Sequence, residues 1–294
     1  MKPTTKAFYE DAVRRAVDRI AKSLDEALDL QDLARLAALS PLHFHHVFRG
    51  MVGETPLEMH RRLRLERAAQ ELEGDRAITQ LAFDAGYETH EAFTRAFRKA
   101  YAHSPSEFRS RRIGRIEIPT KNGVHWRHVN LIFQGDTNMD ATIETMPEML
   151  VATVRHIGPY NQINQAFGKL DAIAGPAGLF AVPGVKIVAI YYDDPQTTPA
   201  AELRSDAGLA IPAGTNVPAG LGTEKLAAGR YAKTLHRGPY TTIGDTWSQL
   251  MGGWIPQHDL RIANNVSFEL YLNTPMNTKP EDLLTEIYVP VSQT

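Results

Sequence analysis

Two internal duplications of unlike character divide the chain, and any fold it adopts must accommodate both. In the first, Leu33-Ala34…Ala37 matches Leu81-Ala82…Ala85 at an offset of 48, while Phe44…Phe48-Arg49…Thr55-Pro56 matches Phe93…Phe97-Arg98…Ser104-Pro105 at an offset of 49. One residue is therefore inserted inside the second copy. In the second duplication, Ala152, His156, Gly158-Pro159-Tyr160, Ile163, Phe167 and Leu170 match Ala232, His236, Gly238-Pro239-Tyr240, Ile243, Trp247 and Leu250 at an offset of 80. The chain is thus two pairs of repeated units, and 294 residues are enough for each pair to bury its own core.

The first pair reads as helical. Val13, Ala16, Val17, Ile20 and Leu24 recur with a 3.6-residue period, so 6–24 is expected as an amphipathic helix. Ser40-Pro41 is an N-cap with proline at the first helical position. Thr55-Pro56-Leu57-Glu58 is a capping box opening a long helix, expected over 56–73 and ended by Gly74, and Ser104-Pro105-Ser106-Glu107 repeats that box. Each copy is a short helix, a tight turn at Ala38 or Gly86, and a second helix, with Phe44, Phe48, Phe93 and Phe97 in the core. That is the helix-turn-helix arrangement, whose second helix can enter a DNA major groove. The intervening long helix would hold the two units on successive groove faces, about 34 Å apart.

Residues 112–139 lose helical periodicity and are expected as a linker with an extended piece at 129–133. Beyond it, 141–146, 150–155, 186–191, 230–235, 267–272 and 285–291 alternate as strands, with helical stretches at 160–174 and 240–253. A strand leading through Gly-Pro-Tyr into a helix, present twice, implies two pseudo-symmetric βαββ halves with a ligand cleft between them. The expected architecture is multidomain: an all-α tandem helix-turn-helix domain (1–112), a linker (113–139) and an α+β domain (140–294).

Charge follows the same division. The net charge of −2 is the sum of an arginine-rich +3 over 1–115, where 16 of 20 cations are arginine, and −5 over 140–294. Arginine suits bidentate contacts to phosphate and guanine. Zero cysteines exclude disulfides, thiolate zinc sites, iron–sulfur clusters and a cysteine nucleophile. His43 and His46 lie one helical turn apart, but nothing nearby supplies a third ligand, so neither metal nor cofactor is expected. No apolar run reaches 18 residues and no secretory h-region opens the chain, so a cytoplasmic protein without membrane partners is expected.

From about Asp11 to Arg111 the chain resembles the DNA-binding domain of the AraC/XylS family of transcription regulators. The resemblance is carried by Ile78, Leu81-Ala82, Ala85-Gly86-Tyr87, Phe93-Thr94-Arg95-Ala96-Phe97-Arg98, Ser104-Pro105 and Phe108-Arg109. It implies that Leu42, His45 and His46 read bases from the first recognition helix and His90, Glu91 and Arg95 from the second. Arg49, Arg61, Arg98, Lys99 and Arg111 are expected at phosphates, which position the protein without specifying sequence. The partners implied are double-stranded promoter DNA and RNA polymerase, with the protein a monomer or weak dimer.

From Ala141 to Val291 the chain resembles the GyrI-like small-molecule-binding domain, through its His-x-Gly-Pro-Tyr motifs, the Ser267 to Asn273 strand and the Leu283 to Pro290 strand. The resemblance implies a hydrophobic, cationic effector meeting a buried glutamate, here Glu269 with Glu286 as the runner-up, between aromatic walls drawn from Tyr160, Tyr192, Tyr240, Trp247, Trp254, Tyr271 and Tyr288. Strand alternation puts Glu269 and Tyr271 on one face and Phe268 and Leu270 on the other, leaving Glu269 either in solvent or in the cleft. An uncompensated carboxylate is costly in an apolar pocket, and a delocalised cation stacking on aromatic rings would offset that cost. The rival expectation is a GyrI-like hydrolase of strained electrophiles, using Glu269 with the hydroxyl of Tyr160 or Tyr240 as acid and base.

Overall fold

A computed structural model describes residues 4–114, 116–120, 139–195 and 197–293. Seven helices come first: α1 (Thr5–Lys22), α2 (Leu30–Ala37), α3 (Pro41–Val52), α4 (Pro56–Glu71), α5 (Ile78–Asp84), α6 (His90–Tyr101) and α7 (Pro105–Ser110). The caps act as the sequence indicates. Ser40 Oγ accepts from the His43 amide at 3.3 Å, and reciprocal capping boxes close at Thr55/Glu58 and Ser104/Glu107. The tight turns fall at Ala38 (φ 55°) and Gly86 (φ 81°), both left-handed. Helix α4 stops two residues short of the expected 73, because the Glu73 and Gly74 amides bond three residues back and tighten the last turn.

The rest is a curled antiparallel sheet with helices on one face. Its strands are β1 (Ala141–Met146), β2 (Met149–Ile157), β3 (Lys186–Tyr191), β4 (Arg204–Ile211), β5 (Gly222–Leu226), β6 (Gly229–Arg237), β7 (Leu260–Ile262), β8 (Phe268–Tyr271) and β9 (Leu284–Gln293). The order is β1-β6-β9-β8-β3-β4-β2-β5, with β7 on the far end of β9. The 80-residue offset maps β2 onto β6 and β4 onto β9, start to start. The halves meet where β3 pairs with β8, with Ala189 opposite its repeat mate Glu269. A local two-fold axis therefore passes beside Glu269. Each half also lends its leading strand to the other: β1 pairs with β6 and β5 with β2.

Three strands escape the alternation reading. Strand β4 is buried along nearly its whole length, β5 is a polar edge strand and β7 is three residues long, so none shows a two-residue period. The helical stretch expected over 160–174 is a 3₁₀ turn (Tyr160–Gln162) followed by α8 (Asn164–Ala174). That expected over 240–253 is a 3₁₀ turn (Tyr240–Thr242), then α9 (Ile243–Ser248), then a π-helical segment (Gln249–Trp254). The extended piece expected at 129–133 lies outside the described residues.

The two helix-turn-helix units are packed differently. The second unit has a core of its own, with Phe93, Phe97 and Phe108 on Leu65 and Ala69 of α4 and on Leu72 at its C-cap. The first shares one core with the sheet domain: Tyr9, Val13, Ala16, Phe44, Val47 and Phe48 are continuous with Trp247, Leu250, Met251, Trp254, Ile287 and Val289. Tyr9 Oη accepts from the Ile262 amide at 2.9 Å, and the Arg261 guanidinium lies 4.3 Å from the centre of the Phe8 ring.

Candidate functional site

Helix α6 buries Phe93 and Phe97 completely and turns His90, Glu91, Arg95, Arg98 and Lys99 to solvent. Among the described residues none of Arg95, Arg98 and Lys99 forms an ion pair, so their guanidinium and ammonium groups are available to an anionic partner. Arg61 and Arg111 are exposed as well.

Helix α3 is placed otherwise. The Arg49 guanidinium is paired with Asp245 of α9. His46 Nδ1 lies 3.3 Å from Ser248 Oγ, and its ring stacks on Trp247 with centroids 5.7 Å apart. Leu42 is half-buried and His45 is buried, its Nδ1 without a hydrogen-bond partner among the described residues. Burial holds His43 and His45 down to about 4 and drives His46 well below the usual histidine range, so all three rings are neutral at pH 7. Of the four residues expected to meet DNA from α3, His46 and Arg49 are engaged by the sheet domain instead. Sequence reasoning could not see this, because the partners lie some 200 residues away and carry no local signature.

Glu269 lies on the helix-covered face, 3% exposed. The alternation holds: Phe268 and Leu270 enter the core of the opposite face. One carboxylate oxygen accepts from Trp247 Nε1 at 2.8 Å and the other from the Tyr271 hydroxyl at 2.7 Å. The Tyr191 hydroxyl lies 3.2 Å from that of Tyr271 and adds to the donors around the carboxylate. Burial raises the Glu269 pKa, and the three donors partly oppose the rise. Phe167 and Tyr240 meet the Tyr271 ring edge-on at 5.8 and 5.5 Å, and Tyr160 meets Tyr191 at 4.9 Å.

These residues are repeat mates: Tyr160/Tyr240, Phe167/Trp247, Ala189/Glu269 and Tyr191/Tyr271 are each 80 apart. The site is a two-fold-symmetric aromatic cage in which one alanine is replaced by a carboxylate. Tyr191 and Phe167 were absent from the expected walls, although the 80-residue offset from Tyr271 and Trp247 points to both. The two rim tyrosines differ. Tyr160 donates its hydroxyl to the Asp193 carbonyl at 2.6 Å and accepts from the Asp193 amide at 2.9 Å, which anchors it. Tyr240 is 38% exposed, its hydroxyl has no hydrogen-bond partner among the described residues, and that hydroxyl is pushed up to about 12 by burial and the nearby Glu269.

Three expected walls lie elsewhere. Tyr288 stacks on Phe268 at 4.8 Å on the opposite face of the sheet, its hydroxyl donating to Glu286. Tyr192 belongs to that same face and donates to Asp206 at 2.7 Å. Trp254 stacks on His258 within the core shared with α1. Strand alternation separates the first two from Glu269; the third lies seven residues past Trp247, at the end of a segment that has switched to π winding.

A family model described as the GyrI-like small molecule binding domain matches residues 139–292, and one described as a helix-turn-helix domain matches residues 33–111. The chain belongs to the GyrI-like family. Its GyrI-like domain follows a helix-turn-helix domain, so the chain joins a helix-turn-helix domain to a small-molecule-binding domain. It is 34% identical over 104 residues to the uncharacterized HTH-type transcriptional regulator YbfP of Bacillus subtilis, covering 35% of each chain. It is 28% identical over 157 residues to the DNA gyrase inhibitor of Escherichia fergusonii, covering 52% of this chain and 98% of that one. The chain thus spans about a third of YbfP and nearly all of the gyrase inhibitor. The EcmrR–DNA complex in EcmrR-RPo covers 90% of the chain and 99% of its own at 14% identity, with a TM-score of 0.43. No helix among the described residues is long and apolar enough to cross a membrane.

Proposed function

We propose that the protein is a cytoplasmic, ligand-responsive transcription regulator in which residues 1–112 read promoter DNA and residues 140–294, after a linker at 113–139, bind a hydrophobic organic cation. The observation that carries the effector class is Glu269: a carboxylate removed from water, ringed by Trp247, Tyr271, Tyr191, Tyr240 and Phe167, with neutral donors and, among the described residues, no cationic side chain on it. A delocalised cation entering past Tyr240 would exchange those donors for full charge compensation and ring contact. On the DNA side, the exposed row His90, Glu91, Arg95, Arg98 and Lys99 supports α6 as a reader, with Glu91 able to accept from cytosine N4 and Arg95 to pair with guanine O6 and N7.

A hydrolytic reading has less support. The Tyr160 hydroxyl is already bonded to the Asp193 backbone, which leaves Tyr240, of the two tyrosines expected to act with Glu269, as the one with a free hydroxyl among the described residues.

The test is binding of tetraphenylphosphonium and of a neutral triaryl compound to the parent and to Glu269→Gln. The cation should lose about 1–3 kcal/mol and the neutral compound almost nothing. Equal losses for both would remove the electrostatic role. Turnover of a strained cyclopropane-bearing electrophile, abolished in Glu269→Gln, would favour the hydrolase instead.

A further inference from the structure

The 49-residue offset places α6 over α3 residue by residue: Arg95 over His46, Arg98 over Arg49 and Lys99 over Gly50. The row that α6 turns to solvent is therefore the row that α3 presses onto α9 and the π-helical segment. The approach is close. A Cβ on Gly50 would lie 2.0 Å from the Ser248 carbonyl oxygen and 2.8 Å from Gly252 Cα, and one on Gly252 would lie 2.6 Å from the Val47 carbonyl. The glycine at 50, where α6 has a lysine, permits this contact. A major groove about 12 Å wide admits one helix of about 10–12 Å, not two pressed together along the reading face.

Trp247 stands at the junction. Its ring stacks on His46 of α3, and its indole nitrogen donates to Glu269. The same side chain that fills the interface with the first recognition helix also satisfies the carboxylate of the candidate effector site. The helix carrying it departs from its repeat mate α8 by going into π winding at Gln249–Trp254, a form of helix concentrated at functional sites.

We propose that docking of α3 is an autoinhibited state, and that Trp247 relays effector binding to it. A cation that draws Glu269 away from the indole removes the bond that orients Trp247, weakens its stacking on His46 and frees α3 for the groove. This relay rests on the cationic-effector reading above; the docking itself does not. The ligand acts because the two states differ in whether Glu269 needs the indole, which is the differential affinity that any population shift requires.

The experiment uses the full chain and a duplex recovered from random sequence by selection with it. Asp245→Ala removes the ion-pair partner of Arg49 from a side chain 60% exposed, so folding is not at risk. Without ligand it should tighten duplex binding about 2- to 5-fold, the span of an exposed pair. Unchanged or weaker binding would overturn the autoinhibition. Saturating tetraphenylphosphonium should tighten binding by the parent about 5- to 150-fold. It should also steepen the salt dependence by about 0.9 in log–log slope for each phosphate that α3 gains. Trp247→Phe places the residue of the first half, Phe167, at the equivalent position, keeping a ring on His46 without the donor. Its melting temperature should still rise with the cation while duplex affinity and salt slope stay fixed. A response equal to the parent's would overturn the relay. A cation that leaves the parent's melting temperature unmoved would overturn the effector reading and the relay together, while Asp245→Ala still decides the autoinhibition.

Discussion

Replacing Gly50 by alanine separates a docked α3 from a free one by the sign of the stability change. Gly50 lies inside α3, and alanine in a helix interior is more favourable than glycine by about 1 kcal/mol. If α3 were a free recognition helix, the substitution would stabilise the protein by that amount. Docked, the new methyl meets the Ser248 carbonyl at 2.0 Å and Gly252 Cα at 2.8 Å, both backbone atoms that no rotamer change can move. Opening the first contact to an ordinary 3.4 Å requires α3 and α9 to separate by about 1.4 Å, through a core that includes Phe44, Val47, Trp247 and Met251. Overpacking of this kind costs about 1–3 kcal/mol, and a clash with rigid backbone belongs at the upper end, so a net loss of about 2 kcal/mol is expected. Gly168 of α8 is the control, since a Cβ there has nothing within 4 Å and its alanine variant should gain the helix-propensity increment. Urea unfolding followed by tryptophan fluorescence reads the difference, because Trp247 and Trp254 both lie in the shared core. Stabilisation by Gly50→Ala matching that of Gly168→Ala would refute the docked arrangement in solution.

Further outcomes follow from the charge placement. Because burial raises the Glu269 pKa, the carboxylate ionises only above the usual glutamate range, and cation affinity should climb as pH rises through that elevated value. The sign for folding is opposite: a raised pKa stabilises the folded protein below the unfolded value and that contribution is lost as pH rises through the folded one, so cation binding and ligand-free stability should trend in opposite directions with pH. Glu269→Gln should flatten both curves, and calorimetric titration across pH reads them. On α6, Arg98→Ala should lower the salt-dependence slope of duplex binding by about 0.9, whereas Arg95→Ala should relax sequence preference at one base pair at a cost of about 1–3 kcal/mol. Binding assays on the selected duplex and on single-base variants distinguish these, and equal effects from both would argue against base reading by Arg95.

Local chemistry made most of the fold legible. Serine and threonine caps followed by proline satisfy the orphan amides of a helix start wherever the rest of the chain lies, as Ser40, Thr55 and Ser104 do here, and at Thr55 and Ser104 a glutamate three residues on completes the box. The alternation in Phe268–Tyr271 likewise follows from the pleat alone and correctly separates Glu269 and Tyr271 from Phe268 and Leu270. It fails for β4, whose burial on both faces erases the period. The aromatic walls were half legible: tyrosines and tryptophans were visible as residue types, but which face and which half each would serve was not, and so Tyr192, Trp254 and Tyr288 were grouped with a carboxylate they do not approach. The 80-residue repeat held better information, since Tyr191 and Phe167 follow from Tyr271 and Trp247 by symmetry.

The sequence by itself determined the two duplications, the helix-turn-helix and βαββ units they specify and the division of charge, because repeats, caps and periodicities are written in neighbouring residues; the candidate carboxylate rests on the resemblance to the GyrI-like domain, since alternation alone leaves Glu269 either in solvent or in the cleft. Only the tertiary structure decided that the two helix-turn-helix units are not equivalent. The apolar stripe on α1 and the glycines at 50 and 252 state that something packs closely there, and not what. Docking α3 on α9 joins residues about 200 apart, and which surfaces meet is settled by mutual burial across the shared core rather than by any local pattern. That same packing brings Trp247 to both His46 and Glu269, and so makes one side chain common to the reader and the sensor.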